Sequence, residues 1–284
     1  MRKLFSRQLI EARHEMLSIF EAVDLTLHDA VKAFVTDDKA LAKKAKAETL
    51  QIDARSANLE AVCYNLIATQ SPVASDFRLL QTIIYVNFNL QRMSDKVRRI
   101  ARAAKHKVKS DIELPAELVD LIDREAASVY QVLGASISAL VGNDLSIITS
   151  LSERDEDVHA IYQKFFRTYN RMSADGVDDE TDDKKLDDLR RVIMVSRYLD
   201  RVASIAIDAA FRITFLLTGQ RWSASDIAEA DEDELESMRI PSGEGTILDP
   251  EADARYVSAL APDEVGEELA ALIRDAQAED AGEE

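Results

Sequence analysis

The sequence predicts an all-α protein: two tandem antiparallel three-helix bundles related by pseudo-two-fold symmetry, followed by an acidic, mostly disordered C-terminal tail. Three observations carry this. Only 8 glycines and 5 prolines occur among 284 residues, so the turn residues that sheet-rich folds need are missing. No glycine precedes Gly134, and only Pro72 and Pro115 precede Pro241. Apolar residues recur at three- and four-residue spacings over long segments.

The elements follow in order. Leu9, Met16, Phe20, Val23, Leu27, Val31 and Phe34 form one helical stripe, which predicts helix one over Phe5–Val35. Thr36-Asp37-Asp38 breaks that helix and caps the next. Helix two spans Asp38–Thr69 and stops at Gln70-Ser71-Pro72, because the residue before proline avoids helical angles. Helix three runs from just after Pro72 to about Lys107, and a charged linker follows. Pro115 suits the first turn of helix four, which ends near Gly142. Helix five covers Asp144–Met172, the acidic run 175–183 is a solvated loop, and helix six extends unbroken to Thr218 with Gly219 as its C-cap.

Charge divides the chain. The net charge is −18. Residues 223–284 hold 20 acids and 3 arginines, a net of −17, so the body is close to neutral. Three prolines, three glycines up to Gly266 and the dense acidic charge mark that segment as mostly disordered. The excess negative charge opposes binding to nucleic acid or to an anionic membrane surface. No stretch reaches the roughly 18 apolar residues of a membrane span. The single cysteine, Cys63, lies in an apolar run and reads as a small core residue in a reducing cytoplasm.

An internal repeat organises the helices. Val35-Thr36-Asp37-Asp38 aligns with Val141-Gly142-Asn143-Asp144, and Ile52-Asp53 with Val158-His159. Gln91-Arg92-Met93 corresponds to Asp200-Arg201-Val202. Three long helices bury their stripes against one another as a self-sufficient bundle. The expected units are therefore residues 1–110, residues 111–222 and the tail 223–284.

Specific residues now carry a likeness. The run 70–80, Gln-Ser-Pro-Val-Ala-Ser-Asp-Phe-Arg-Leu-Leu, followed by 89–95, Asn-Leu-Gln-Arg-Met-Ser-Asp, resembles the first repeat of the PhoU family of phosphate-transport regulators. Arg197-Tyr198-Leu199-Asp200-Arg201-Val202 resembles that family's second-repeat signature, and Leu217-Thr218-Gly219-Gln220 its end of helix six. The resemblance spans about Arg2 to Trp222. It implies a cytoplasmic homodimeric adaptor, not an enzyme, that links a phosphate importer's ATPase subunit to a sensor histidine kinase and restrains uptake and the phosphate-starvation response. It implies contact with the membrane only through those partners. Independently, the sequence lacks a Gly-rich phosphate loop, and its four histidines stand beside no nucleophile motif. Glu11 and His14 have the Glu-x-x-His spacing of di-iron bundles, which require two copies and further glutamates.

The resemblance also implies metal ligands: carboxylate pairs four residues apart on helices two and three of each repeat, sharing one helical face. Here the first repeat offers Thr49 and Asp53 against Gln91 and Asp95. The second offers Asp155 and His159 against Asp200 and Ser204, with Glu156, Asp157 and Asp208 nearby. Thr, Gln and Ser are weak neutral ligands. His159 is a good transition-metal ligand, so a divalent metal or iron is expected, if anywhere, at the second repeat. Arg78 and Arg197 match signature positions and are candidate partner contacts.

One further cluster stands out. Lys96, Arg98, Arg99, Arg102, Lys105, His106, Lys107 and Lys109 crowd the end of helix three. Cations there complement the helix dipole, and Arg98, Arg99 and Arg102 are candidates for docking an acidic partner face or the acidic tail. Two other readings compete with the adaptor: a metal-binding bundle for storage or catalysis, and a structural scaffold unrelated to phosphate.

Overall fold

A computed structural model describes residues 2–72, 74–174, 183–222 and 226. Six long helices appear in the expected order, and no strand occurs among the described residues. They are α1 (Arg2–Val35), α2 (Lys39–Gln70), α3 (Ala74–Lys109), α4 (Ala116–Gly142), α5 (Ser146–Ala174) and α6 (Asp183–Ala210), followed by a short α7 (Arg212–Thr218). The expected tail and the loop 175–182 lie outside the described residues.

Local chemistry sets the boundaries. Asp38 caps α2, its Oδ1 accepting from the amides of Ala40 and Leu41 at 2.8 and 2.9 Å. Asp144, its counterpart in the repeat, accepts from the Ser146 amide at 2.8 Å at the start of α5. The repeat in the sequence is thus partly a repeat of caps. Asn143 closes α4 in the left-handed region at φ 54°, a conformation that asparagine tolerates well.

All seven stripe residues of α1 are buried. α1, α2 and α3 pack pairwise, as do α4, α5 and α6. The two bundles meet through α3 against α6 and, more lightly, α1 against α4. Each interface pairs an element with its own repeat counterpart, which is what a two-fold relation requires. α2 lies outermost, and its buried positions Ala42, Ala45, Thr49, Ile52, Ser56, Leu59, Cys63 and Leu66 form a single narrow stripe. Cys63 is buried there, and burial pushes its thiol up to about 12, consistent with an unreactive core position.

Helix six is not continuous. It breaks at Phe211, where the Phe211 carbonyl accepts from both the Thr214 amide (3.2 Å) and the Thr214 hydroxyl (2.7 Å). A threonine hydroxyl that captures a carbonyl three residues back competes with the α-helical ladder and tightens the turn. The break lets α7 lie on α3. There the Arg212 guanidinium stacks 3.3 Å above the Tyr85 ring, and Arg78 Nε donates to the Leu216 carbonyl at 3.2 Å.

Candidate functional site

Two polar regions hold most of the residues singled out by the sequence. The first is a seam in the second bundle, between α4, α5 and α6. His159 Nδ1 lies 3.0 Å from Asp200 Oδ1, and Asp200 is buried. Ser204 Oγ donates to Asp155 Oδ1 at 3.3 Å and to the Asp200 carbonyl at 3.2 Å. Burial holds Asp155 above the usual carboxylate range, and the nearby Asp200 charge adds to this. Deeper still, Glu125 of α4 is fully buried, and its Oε2 accepts from Ser196 Oγ at 2.5 Å. Burial in low dielectric pushes Glu125 up to about 9, so it is neutral at physiological pH. The structure therefore brings together three of the expected ligands, Asp155, His159 and Asp200, as a chain of hydrogen bonds. Glu156 and Asp157 are exposed on α5. Asp208 lies 3.9 Å from Arg92, across the α3–α6 interface.

The first-repeat residues are arranged differently. Asp53 accepts from Ser94 Oγ at 3.1 Å and pairs with Arg98 at 2.9 Å. Asp95 pairs with Lys96 at 3.2 Å and with Arg99 at 3.0 Å, and these contacts hold it below the usual range against an opposing burial effect. The Thr49 hydroxyl is turned to the Lys46 carbonyl of its own helix, at 2.8 Å. Each first-repeat carboxylate is thus neutralised by arginine or lysine, leaving little negative charge for a hard cation. Among the described residues no three His, Cys, Asp or Glu side chains converge as a ligand group. In the first repeat these ion-paired residues do not fit the metal site that the resemblance implied.

The arginine candidates separate by exposure. Arg78 is half-buried and turned inward to α7. Arg98 is mostly buried and bound to Asp53. Arg99, Arg102 and Arg197 are exposed, and Arg99 is paired with Asp95.

The second polar region is a cleft of about 700 Å³ where α2, α3 and α6 meet. α3 contributes Arg99, Arg102, Lys105, His106 and Lys109, α6 contributes Arg190 and Arg191, and α2 contributes Lys46. Ala103, Met194 and Tyr198 form its less polar wall, and among the described residues no acidic side chain lines it. Arg99 lies over the Tyr198 ring at 5.9 Å. Arg191 Nη1 is 2.9 Å from His106 Nε2 and ties α6 to α3. Sequence reasoning located the α3 cations and missed Arg190, Arg191 and Lys46. The adjacent Arg190-Arg191 pair was the available signal, since it falls early in helix six, and helix six runs against the end of helix three.

A sequence model of the PhoU domain matches residues 16–104 and 122–213, one segment in each bundle and together more than half of the chain. A phosphate-specific transport system accessory protein PhoU homolog of Clostridium acetobutylicum is 25% identical over 226 residues, covering 79% of this chain and 99% of that protein. A homolog of the same name from Pseudomonas aeruginosa is 23% identical over 215 residues, covering 76% of this chain and 86% of that protein. Among solved structures, PhoU from Pseudomonas aeruginosa superposes with a TM-score of 0.68 at 22% identity, covering 76% of this chain and all of that one. The phosphate transport system regulatory protein PhoU from Streptococcus pneumoniae superposes with a TM-score of 0.67 at 20% identity, over 77% of this chain and 99% of that one. These superpositions establish the fold.

Proposed function

Because the chain belongs to the PhoU family, matched in both of its repeats, we propose that it is a regulatory adaptor of phosphate uptake. It couples the ATPase subunit of a phosphate importer to a sensor histidine kinase, and restrains uptake and the starvation response when phosphate is plentiful. The observation that carries this reading is end-to-end coverage: a match over 226 residues of this chain spans nearly the whole length of a relative named as a phosphate-specific transport accessory protein.

On this reading the protein is cytoplasmic, acts as a homodimer and reaches the membrane only through its partners. No helix among the described residues is long and apolar enough to cross a membrane. It works by binding, without turnover. The units are residues 1–110 and 111–222, with 223–284 as an appendage. The exposed arginines Arg99, Arg102 and Arg197 are the candidate partner contacts on this reading. The metal-storage and metalloenzyme reading draws no support from the first repeat, where Asp53 and Asp95 are bound to arginine and lysine.

Deleting the gene and following a phosphate-starvation reporter tests the reading. Activity of the reporter in rich phosphate is the expected result, and unchanged output in the deletion strain rejects it. A pull-down from phosphate-replete cells should recover the importer ATPase and the kinase.

A further inference from the structure

We propose that the cleft between α2, α3 and α6 is a binding site for a multiply phosphorylated small molecule. Seven lysines and arginines from three helices, with His106, face one concavity, and among the described residues no carboxylate lines it. Of these, Arg99 is paired with Asp95 and Arg191 is engaged with His106. Among the described residues, no carboxylate forms an ion pair with Lys46, Arg102, Lys105, Lys109 or Arg190. Gathering these five cations in one concavity is costly, and a bound anion offsets that cost.

The shape selects the class of anion. A concavity of about 700 Å³ is within the range of small-molecule sites. It is larger than one orthophosphate requires, and its cations are spread over three helices rather than focused at one point. Guanidinium forks suit phosphate oxygens bidentately, and lysines add point charges around them. Ala103, Met194 and Tyr198 give one side of the cleft an apolar surface. Several linked phosphates, with or without an organic group against that wall, satisfy this layout. The cleft also bridges the bundles, because α2 and α3 belong to one and α6 to the other. An occupant would therefore hold α6 against α3. The site stands on the charge and shape of the cleft; its use as a readout of phosphate status rests on the regulatory reading above.

Isothermal titration of the full chain at low salt tests the site, with tripolyphosphate, ATP and orthophosphate as separate probes. Saturable one-to-one binding of a triphosphate, at least about tenfold tighter than orthophosphate, is expected. Replacing Arg102→Gln with Arg190→Gln, or Lys105→Gln with Lys109→Gln, should weaken it about tenfold or more. The exposed pair Arg154→Gln with Arg167→Gln on α5 should leave it unchanged. ATP binding more tightly than tripolyphosphate assigns the apolar wall to a nucleoside; equal affinities assign the site to inorganic chains. No saturable binding at millimolar concentration, no preference over orthophosphate, or equal loss in the α5 variant overturns the proposal. The regulatory reading is judged separately by the reporter, so the two can fail independently.

Discussion

Ser196 Oγ donates to Glu125 Oε2 at 2.5 Å inside the second bundle, and this places an ionisable group where charge is least welcome. Burial raises Glu125 from an ordinary 4.5 to about 9. Between those values the unfolded chain releases the proton and the folded chain keeps it, so stability falls as pH rises through this window. Glu21 and Asp24, each raised by burial to about 7, act in the same direction up to neutrality. Chemical denaturation should therefore show lower stability at pH 8 than at pH 5. Glu125→Gln should flatten the slope, recovering on the order of 2–4 kcal/mol of the pH-dependent loss. An unaltered slope in that variant would show that Glu125 ionises normally.

The two signature arginines should behave in opposite ways. Arg78 donates to the Leu216 carbonyl and so helps hold α7 on α3. Arg78→Ala should cost about 1 kcal/mol and lower the melting temperature. Arg212→Ala should cost about 1–2 kcal/mol by removing the stack on Tyr85. Arg197 is exposed, so Arg197→Glu should leave melting unchanged while reducing recovery of partners in a pull-down. A destabilised Arg197 variant, or an Arg78 variant with unaltered melting, would reverse these assignments.

Metal content follows from the ion pairing of the first repeat and the hydrogen-bonded seam of the second. Elemental measurement on purified protein should find little tightly held iron or zinc. Any metal that does bind should disappear on changing Asp155, His159 or Asp200. Full occupancy at both repeats would refute the expectation.

Much of the fold was legible because it is local. Stripe spacing placed the long helices, and Asp38 and Asp144 marked their starts through short-range capping. The break at Phe211 was not legible, because Thr214 competing for a single carbonyl leaves the apolar period intact. The site was legible only in halves. Asp155, His159 and Asp200 were named because the family resemblance implied ligands there, and they do meet. The neutralisation of Asp53 by Arg98 was hidden, since it depends on which rotamers the α2–α3 packing permits. Glu125 was overlooked because one acid in an apolar helix gives no sign from spacing alone that it is buried. The cleft required the α3–α6 contact, which joins residues more than eighty positions apart, such as His106 and Arg191.

The last prediction joins the acidic segment to the cleft. Residues 223–284 carry a net −17, and the cleft holds seven lysines and arginines. The body of the chain ends after α7, which Arg78 ties to the start of α3. The cleft begins at Arg99, 21 residues further along α3, roughly 32 Å away at the helical rise. An extended chain covers that distance with about a dozen residues, so 62 residues are ample to reach it. Tethering gives the acidic segment an effective concentration on the order of millimolar. Exposed charge pairs are screened over about 8 Å at physiological salt, so the contact is weak and readily displaced. The segment should therefore compete with triphosphate, or with an acidic partner surface, for the same cations. Cutting the chain after Trp222 should strengthen binding of either at low salt, and the gain should shrink as salt rises. Equal affinity of the cut and full-length chains at low salt would show that the segment leaves the cleft open.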